Sequence, residues 1–243
     1  MVDHFFQALK FLTVIPFPKH FLCKKERLAP SMLFFPLVGF LIGVISFGFF
    51  ALSHRFFPTQ IATLILLATP IVVSGGIHLD GFADFCDGFF SGRAKADILR
   101  IMKDSRIGAW GAAGITLLLL GKFELLQTLP DLRFFFVAVV FSRWAQVALS
   151  FYLPYAGEKG GLGESVAQKV KIHEFFGATL FLLPLMFWLG WHSLLVVLAA
   201  IVFIAILGIY FFKRIGGLTG DLLGAASELA ELFIFLLASI SKG

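Results

Sequence analysis

The sequence predicts an all-α, polytopic membrane protein with about seven transmembrane helices. Of its 243 residues, 59% are hydrophobic and 14% are charged, whereas an ordinary soluble domain carries about 25% charged residues. Several apolar runs also reach the roughly 20 residues that a helix needs to cross about 30 Å of hydrocarbon. Because no composition break or long linker divides the chain, we expect a single integral membrane domain over residues 1–243.

The N-terminal segment predicts a short helix that lies in the membrane interface. Its apolar residues recur at helical spacing at Phe5, Phe6, Leu9 and Leu12, and Phe11 can join them. Gln7 and Lys10 fall on the opposite face, and the prolines at positions 16 and 18 should end the helix. A basic start and a small-residue cleavage site are both missing, so we expect no cleavable signal peptide here.

Seven apolar runs lie between charged residues and turn residues, and each predicts one membrane span. They fall near residues 30–53, 60–79, 107–126, 132–153, 175–190, 192–212 and 220–240. Only Trp191 and His192 separate the fifth run from the sixth. That short break fits a tight helical hairpin or one long segment, and we expect two spans.

Lysine and arginine gather in alternate loops, which predicts the orientation of the chain. Fifteen of the 20 lie on one side, in residues 1–29, 80–106, 154–174 and 213–219. The opposite loops hold Arg55, Lys122, Arg133 and Lys242. The N-terminus is therefore expected in the cytoplasm. Since the cations are spread over short loops, nucleic acid is not an expected partner. Cys23 and Cys86 both fall on the reducing side, so no disulfide is expected.

The most informative stretch is 74–88, where the second predicted span ends. Asp80, Asp84 and Asp87 stand at positions i, i+4 and i+7, so a helix would place three carboxylates on one face. Like charges at these spacings destabilise a helix by a few tenths of a kcal/mol per pair. A bound cation would reverse the sign of that effect.

Magnesium is the cation that this stretch favours. Mg²⁺ is commonly held by one or two carboxylates, several waters and substrate phosphates. His78 and Cys86 lack the paired spacing of a zinc site. The alternative is a solvated acidic helix paired with nearby cations. We favour the metal site because of the shared face, the membrane edge and the glycines within the stretch.

A second stretch, 101–111, leads into the third predicted span. Lys103 and Arg106 could neutralise phosphate charge, and Asp104 could join the metal shell. Small residues at 108, 109 and 111 permit a close approach of backbone or ligand. The alternative is that these cations only anchor the helix at the membrane edge.

A third stretch, 216–231, leads into the last predicted span. Asp221 and Glu228 share a helical face, with Glu228 about 10 Å deeper at 1.5 Å per residue. An acid within the membrane is costly and commonly functional. The alternative for Glu228, and more so for Glu231, is a structural pairing with Arg143 of the fourth span. Segments 75–80 and 216–221 also echo each other, since both begin with Gly-Gly and end with Asp.

Taken in this order, the three stretches resemble the cobalamin synthase family, also called adenosylcobinamide-GDP ribazoletransferase. The most specific part is the run 75–88 followed by 101–111. The segment 216–231 looks like the family's C-terminal Gly-Gly-x-Thr-Gly-Asp element. The resemblance covers most of the chain. Phe82, Phe85 and Cys86 stand where relatives often have Leu, Thr and Ala, whereas every acidic position is kept.

The resemblance implies a Mg²⁺-dependent, multi-pass transferase of the bacterial cytoplasmic (inner) membrane, with its site facing the cytoplasm. It implies that adenosylcobinamide-GDP is joined to α-ribazole, or to its 5′-phosphate, with release of GMP in the last assembly step of cobalamin. A homo-oligomer, or an association with other enzymes of the cobalamin pathway, is a further possible partner besides the lipid bilayer.

Roles for individual residues follow as a hypothesis. Asp80, Asp84 and Asp87 would hold Mg²⁺ against the diphosphate, with Asp104 or Asp221 completing the shell. The general base for the ribazole 5′-hydroxyl would be His78, Asp104 or Asp221, and the sequence leaves that choice open. The residues expected to contact substrate or phosphate are Lys103, Arg106, Gly75, Gly76 and Thr219.

Two other functions share some of these features. An ion-coupled secondary transporter also combines glycine-interrupted segments with carboxylates, but its site lies near the membrane midplane. Here the aspartates cluster at one membrane edge, and only Glu228 and Glu231 favour transport. A lipid enzyme like the CDP-alcohol phosphotransferases would carry Asp-Gly-x-x-Ala-Arg, which residues 80–85 do not match.

Overall fold

The computed structural model describes residues 1–17, 25–157, 162–167 and 169–240. Within these ranges the regular structure is helical, apart from an isolated bridge between Tyr155 and Leu218. The α-helices are α1 Val2–Leu12, α2 Leu28–Ser31, α3 Phe35–Ser53, α4 Thr59–Ser74, α5 Ile77–Phe89, α6 Lys95–Ile101, α7 Ala109–Thr128, α8 Arg133–Tyr152, α9 Ile172–Leu180, α10 Leu183–Leu189, α11 Trp191–Ile215 and α12 Gly220–Ile240. The predicted all-α class is confirmed.

The predicted number of spans is also confirmed. The stretches long and apolar enough to cross a membrane are Leu28–Ser53, Ala109–Thr128, Arg133–Tyr152, Ile172–Leu189, Leu194–Ile215 and Gly220–Ile240. A seventh is formed if α4 and α5 count together, because they pass the same test as a bent pair. Large apolar side chains such as Phe49, Leu117 and Ile206 point outward from these helices, as expected where lipid is the solvent.

The first helix of the second predicted span, α4, ends at Ser74 and not near residue 79. Gly75 and Gly76 both have positive φ angles, 65° and 73°, which glycine adopts without steric cost. The chain turns there, and α5 leaves α4 at 90°. The residues of the first acidic stretch therefore lie on a separate helix, α5, and not on the end of α4.

The fifth predicted span is broken into α9 and α10. Pro184 lies in the first turn of α10, and a proline has no amide hydrogen to donate to the carbonyl four residues earlier, so α9 cannot continue through it. Gly190, with φ of 75°, then separates α10 from α11. The expectation of two spans around Trp191 and His192 is confirmed.

Helix α8 occupies the centre of the bundle and is buried along almost its whole length. It packs against α3 on one side and α12 on the other, while α12 also packs against α5. The third acidic stretch is thus carried by a helix that packs on the central helix, and the first by a helix that packs on α12.

The N-terminal helix α1 is confirmed, but two of its details differ. It ends at Leu12, before the first proline. There the hydroxyl of Thr13 donates a hydrogen bond to the carbonyl of Leu9. Gln7 is buried, so its expected place on the exposed face is wrong. The reason is that α1 packs against α2 and the start of α3, which covers that side.

The disulfide and orientation predictions depend on cysteines and cations that the structure describes only in part. Cys86 is a free, buried thiol. Cys23, Lys19, Lys24, Lys159 and Lys242 lie outside the described residues, so their part in the disulfide and orientation predictions stays a prediction.

Candidate functional site

The first and third stretches meet where α5 crosses α12. A Cβ atom on Gly81 would lie 2.6 Å from the carbonyl oxygen of Asp221, and one on Gly224 would lie 3.0 Å from that of His78. Glycine is required at both places because the two backbones touch there. The crossing brings Asp80 and Asp221, each in the first turn of its helix, to one end of the bundle.

The echo between 75–80 and 216–221 has a structural counterpart. Gly75 ends α4 and Gly216 ends α11, both in the left-handed conformation with φ of 65° and 81°. This is a common way to terminate a helix. In both segments the next helix then starts and carries an aspartate in its first turn.

The carboxylates of both helices lie close enough to repel one another. Asp84 is half-buried and experiences the charges of Asp221, Asp80 and Asp87. Lys103, which follows α6, acts on Asp221 with the opposite sign. These aspartates therefore lie near one another and concentrate negative charge, while their predicted role as metal ligands stays a prediction.

A cavity of about 290 Å³ opens beside this cluster. Its polar lining consists of His78, Asp80, Lys103, Gln146, Thr219 and Asp221. Asp84 lies one turn further along α5 than Asp80. The cavity is where a substrate could meet the carboxylates, since pockets for drug-sized ligands are about 300–1,000 Å³.

Asp87 is held by the start of α7. Its carboxylate accepts hydrogen bonds from the amides of Gly108, at 2.7 Å, and Gly111, at 2.8 Å. A side chain at either glycine would collide with that carboxylate. Asp87 thus caps α7, and each of its two carboxylate oxygens accepts one of these hydrogen bonds. Its predicted role as a metal ligand stays a prediction.

Asp104 and Arg106 form an ion pair at the rim, away from the cavity. Arg106 donates from Nε at 3.0 Å and from Nη2 at 2.7 Å to the two carboxylate oxygens. These hydrogen bonds lower the pKa of Asp104 to about 2, so it is a weak base. Both residues line an open pocket with Asp87, whereas Lys103 lines the cavity. The second stretch is therefore divided between two places.

Gly75 and Gly76 serve as the turn between α4 and α5. Neither lines the cavity beside Asp80 and Asp221. Their predicted contact with phosphate is not tested by this placement, whereas their conformational role is plain from their φ angles.

Gln146 of α8 connects His78 to α12. Its amide lies 2.6 Å from the hydroxyl of Ser227, which also lies 3.0 Å from the carbonyl oxygen of Leu223. The same amide lies 3.3 Å from Nδ1 of His78. The Nε2 atom of His78 is buried with no hydrogen-bond partner in the described part of the chain.

The deeper acids belong to a separate buried network. Lys122 donates to Glu228 at 2.6 Å and to Glu231 at 2.7 Å, and Arg143 lies 3.8 Å from Glu231. Two positive and two negative charges balance each other. Buried membrane charges usually pair in this way.

This network corrects two sequence predictions. Lys122 was expected in a loop, but it lies within α7 and is 2% exposed. Arg143 pairs with Glu231, as expected, whereas the partner of Glu228 is Lys122. A lysine inside an apolar run is costly unless an acid is near, and that signal could have revealed the pairing.

The described residues contain no group of three or more His, Cys, Asp or Glu side chains arranged to hold a metal ion. The oxygen donors of Asp80, Asp84 and Asp221 nevertheless suit Mg²⁺, because that ion usually takes only one or two carboxylates and completes its shell with water and phosphate. The repulsion among these carboxylates also fits a bound cation.

Sequence reasoning missed several residues that line the cavity. Gln146 is a polar residue inside an apolar run, three positions after Arg143, and such residues are commonly functional. Phe11, Met32, Phe35 and Tyr155 also line the cavity. They come from distant segments, and no local pattern distinguishes them from other apolar residues.

A family model described as cobalamin-5-phosphate synthase matches residues 4–239. The chain is 39% identical to an adenosylcobinamide-GDP ribazoletransferase of Desulforamulus reducens, over 97% of this chain and 95% of the relative. It is 35% identical to that of Geotalea daltonii, over 97% and 96%, and 33% identical to that of Clostridium botulinum strain Langeland, over 98% and 97%. No solved structure matches the chain.

Proposed function

The chain belongs to the cobalamin-5-phosphate synthase family, and on this premise we propose that it is an adenosylcobinamide-GDP ribazoletransferase. Such an enzyme joins adenosylcobinamide-GDP to α-ribazole or its 5′-phosphate and releases GMP. The observation that carries the proposal is the crossing of α5 and α12, which gathers Asp80, Asp84 and Asp221 beside a cavity that Lys103 also lines.

The nucleophile differs from the one expected from sequence. The family description names a cobalamin 5-phosphate as the product, so the 5′-oxygen can already carry a phosphate and cannot be the attacking atom. We propose that a secondary hydroxyl of the ribose attacks the phosphorus that bears the cobinamide. A new P–O bond forms, the bond to the GMP phosphate breaks, and the hydroxyl proton passes to a base.

Asp221 is the base that the geometry supports best. It lines the cavity and lies beside Asp80 and Lys103. Asp104 is less suited because its pair with Arg106 lowers its pKa to about 2. His78 is less suited because its ring is buried and its Nδ1 already faces the amide of Gln146.

Asp80 and Asp84 are the residues we propose to hold Mg²⁺. When bound, the ion would neutralise charge on the diphosphate and on the departing GMP. Lys103 would add a positive charge from the side of α6, and Thr219 would orient Asp221, whose carboxylate lies 3.5 Å from its hydroxyl. Asp87 would support the site by holding the start of α7 in place.

Replacement of Asp84 tests this proposal. Asp84→Asn keeps the size of the side chain but removes its charge, so we expect GMP release to fall at least a hundredfold while membrane insertion is unchanged. Asp97→Asn is the matched control, because Asp97 lies on α6 and pairs with the exposed Arg100. Near-normal GMP release by Asp84→Asn would contradict the proposed metal site.

A further inference from the structure

The cavity beside the aspartates has an apolar wall that the phosphoryl chemistry does not use. Phe11 of α1 and Phe35 of α3 line it, and their rings are stacked, with centroids 5.8 Å apart and planes at 17°. Met32, from the turn that precedes α3, lies in the same wall. The N-terminal helix thus contributes directly to the cavity.

Phe11 is the part of this wall that a ligand can reach, because its ring is partly exposed. Met32 is fully buried and Phe35 is 1% exposed, so both pack behind the Phe11 ring. Leu223 of α12 lines the cavity two residues after Asp221, which connects the apolar wall to the acidic one. A ligand that fills the cavity would therefore meet an apolar surface and a charged surface at once.

We propose that the apolar wall binds the aromatic base of the ribazole substrate, while the acidic wall holds its ribose. This inference rests on the proposed function. The base of α-ribazole is a dimethylbenzimidazole, which is flat, uncharged and apolar. Such a ring gains from contact with the exposed part of the Phe11 ring, which Phe35 supports from behind.

The size of the cavity supports this assignment. A volume of about 290 Å³ lies at the small end of the range for drug-sized ligands, about 300–1,000 Å³. A nucleoside belongs to that class, whereas adenosylcobinamide-GDP is several times larger. We therefore expect the corrinoid to remain outside this cavity and to present its diphosphate to the carboxylates.

Guanine, the other base in the reaction, suits this wall less well. Its edge carries several hydrogen-bond donors and acceptors, which are costly to bury without partners. The side chains of Phe11, Met32 and Phe35 offer none. The wall therefore selects the ribazole base and not the base of the leaving nucleotide.

Phe11→Ala tests the inference, with Phe5→Ala as the matched control on the same helix. Phe5 packs against Phe34, with centroids 5.9 Å apart, and does not line the cavity. Initial rates of GMP release would be measured with each substrate varied in turn. Binding of α-ribazole would be measured separately, from the fluorescence of its benzimidazole.

We expect Phe11→Ala to raise the KM for α-ribazole about tenfold and the KM for adenosylcobinamide-GDP less than twofold. Phe5→Ala should change neither. The wild type should prefer the ribosides of dimethylbenzimidazole, benzimidazole and adenine in that order, and Phe11→Ala should reduce that preference. Phe11→Leu keeps an apolar side chain and should give a smaller rise, which protects the test against misfolding of the alanine variant.

The two proposals can fail separately. An unchanged KM for α-ribazole in both Phe11 variants, or a rise confined to adenosylcobinamide-GDP, would overturn the inference alone. If the wild type binds α-ribazole with a tenfold dependence on Phe11 and yet releases no GMP, the inference stands and the proposed function fails.

Discussion

Lys122 lies inside the bundle between two carboxylates, and its positive charge offsets the cost of burying them. Glu228 and Glu231 both accept hydrogen bonds from it, while Arg143 stands 3.8 Å from Glu231. Removing one partner of a buried ion pair typically costs about 3–5 kcal/mol, since the other charge is left uncompensated.

Lys122→Met should therefore lower the free energy of unfolding by about that amount, measured by denaturation in detergent. Adding Glu228→Gln to the same chain should restore part of the loss. Lys213→Met is the control, because Lys213 is exposed at the end of α11. A Lys122→Met protein as stable as the wild type would refute the network.

Asp87 allows a second test at this scale, because its capping role and its metal role predict different results. Asp87→Asn keeps only one acceptor oxygen for the amides of Gly108 and Gly111. Loss of a helix cap typically costs about 1 kcal/mol, so the variant should unfold earlier than Asp84→Asn. Asp104→Asn, at an exposed position, should be neutral for stability.

If Asp87→Asn is inactive but as stable as the wild type, Asp87 is a metal ligand and not a cap. The sequence predicted the shared face of Asp80, Asp84 and Asp87 because that depends on helical spacing alone. It could not predict the cap, because Gly108 and Gly111 approach Asp87 only through the tertiary fold.

At the scale of elements, the crossing of α5 and α12 determines the site. Gly81 allows it, because a Cβ atom there would lie 2.6 Å from the carbonyl oxygen of Asp221. That contact involves backbone, which cannot rotate away as a flexible side chain could. Any side chain at this position must push the two helices apart.

Gly81→Ala should lower GMP release at least tenfold by separating Asp80 from Asp221. Gly48→Ala is the control, since Gly48 lies in α3 with open space around its Cβ position, and alanine favours a helix over glycine. The rates of both variants would be compared with that of the wild type. Wild-type activity in Gly81→Ala would mean that the crossing is not needed.

Helix positions were largely predictable, and the exceptions have physical causes. Long apolar runs predict spans because the bilayer requires them. Gly75 and Gly76 cause the early end of α4, and Pro184 causes the break before α10. The sequence shows that these residues are present but does not show which backbone conformation they adopt. The contacts between α5 and α12 join residues about 140 positions apart, and no local period encodes them.

For the whole molecule, the orientation is a testable prediction of the charge pattern. In a chain with Cys23 and Cys86 replaced by serine, a membrane-impermeant thiol reagent added to intact cells should label His54→Cys and not Arg93→Cys. Both positions are exposed, and they lie on opposite predicted sides. The reverse labelling pattern would contradict a cytoplasmic site.

The acidic wall of the cavity could be predicted from the sequence, whereas its apolar wall could not. Its acidic residues carry chemistry that a motif makes visible, so Asp80 and Asp221 were identified. Phe11, Met32 and Phe35 look like ordinary apolar residues, and only the packing of α1 onto the start of α3 places them in the cavity.

The most direct test of the central claim is GMP release by the purified protein in liposomes, with adenosylcobinamide-GDP and α-ribazole, and with or without Mg²⁺. We predict release only when both substrates and the ion are present, with formation of the cobalamin product in equal amount. Absence of GMP release by an inserted, folded protein supplied with all three would contradict the proposed transferase.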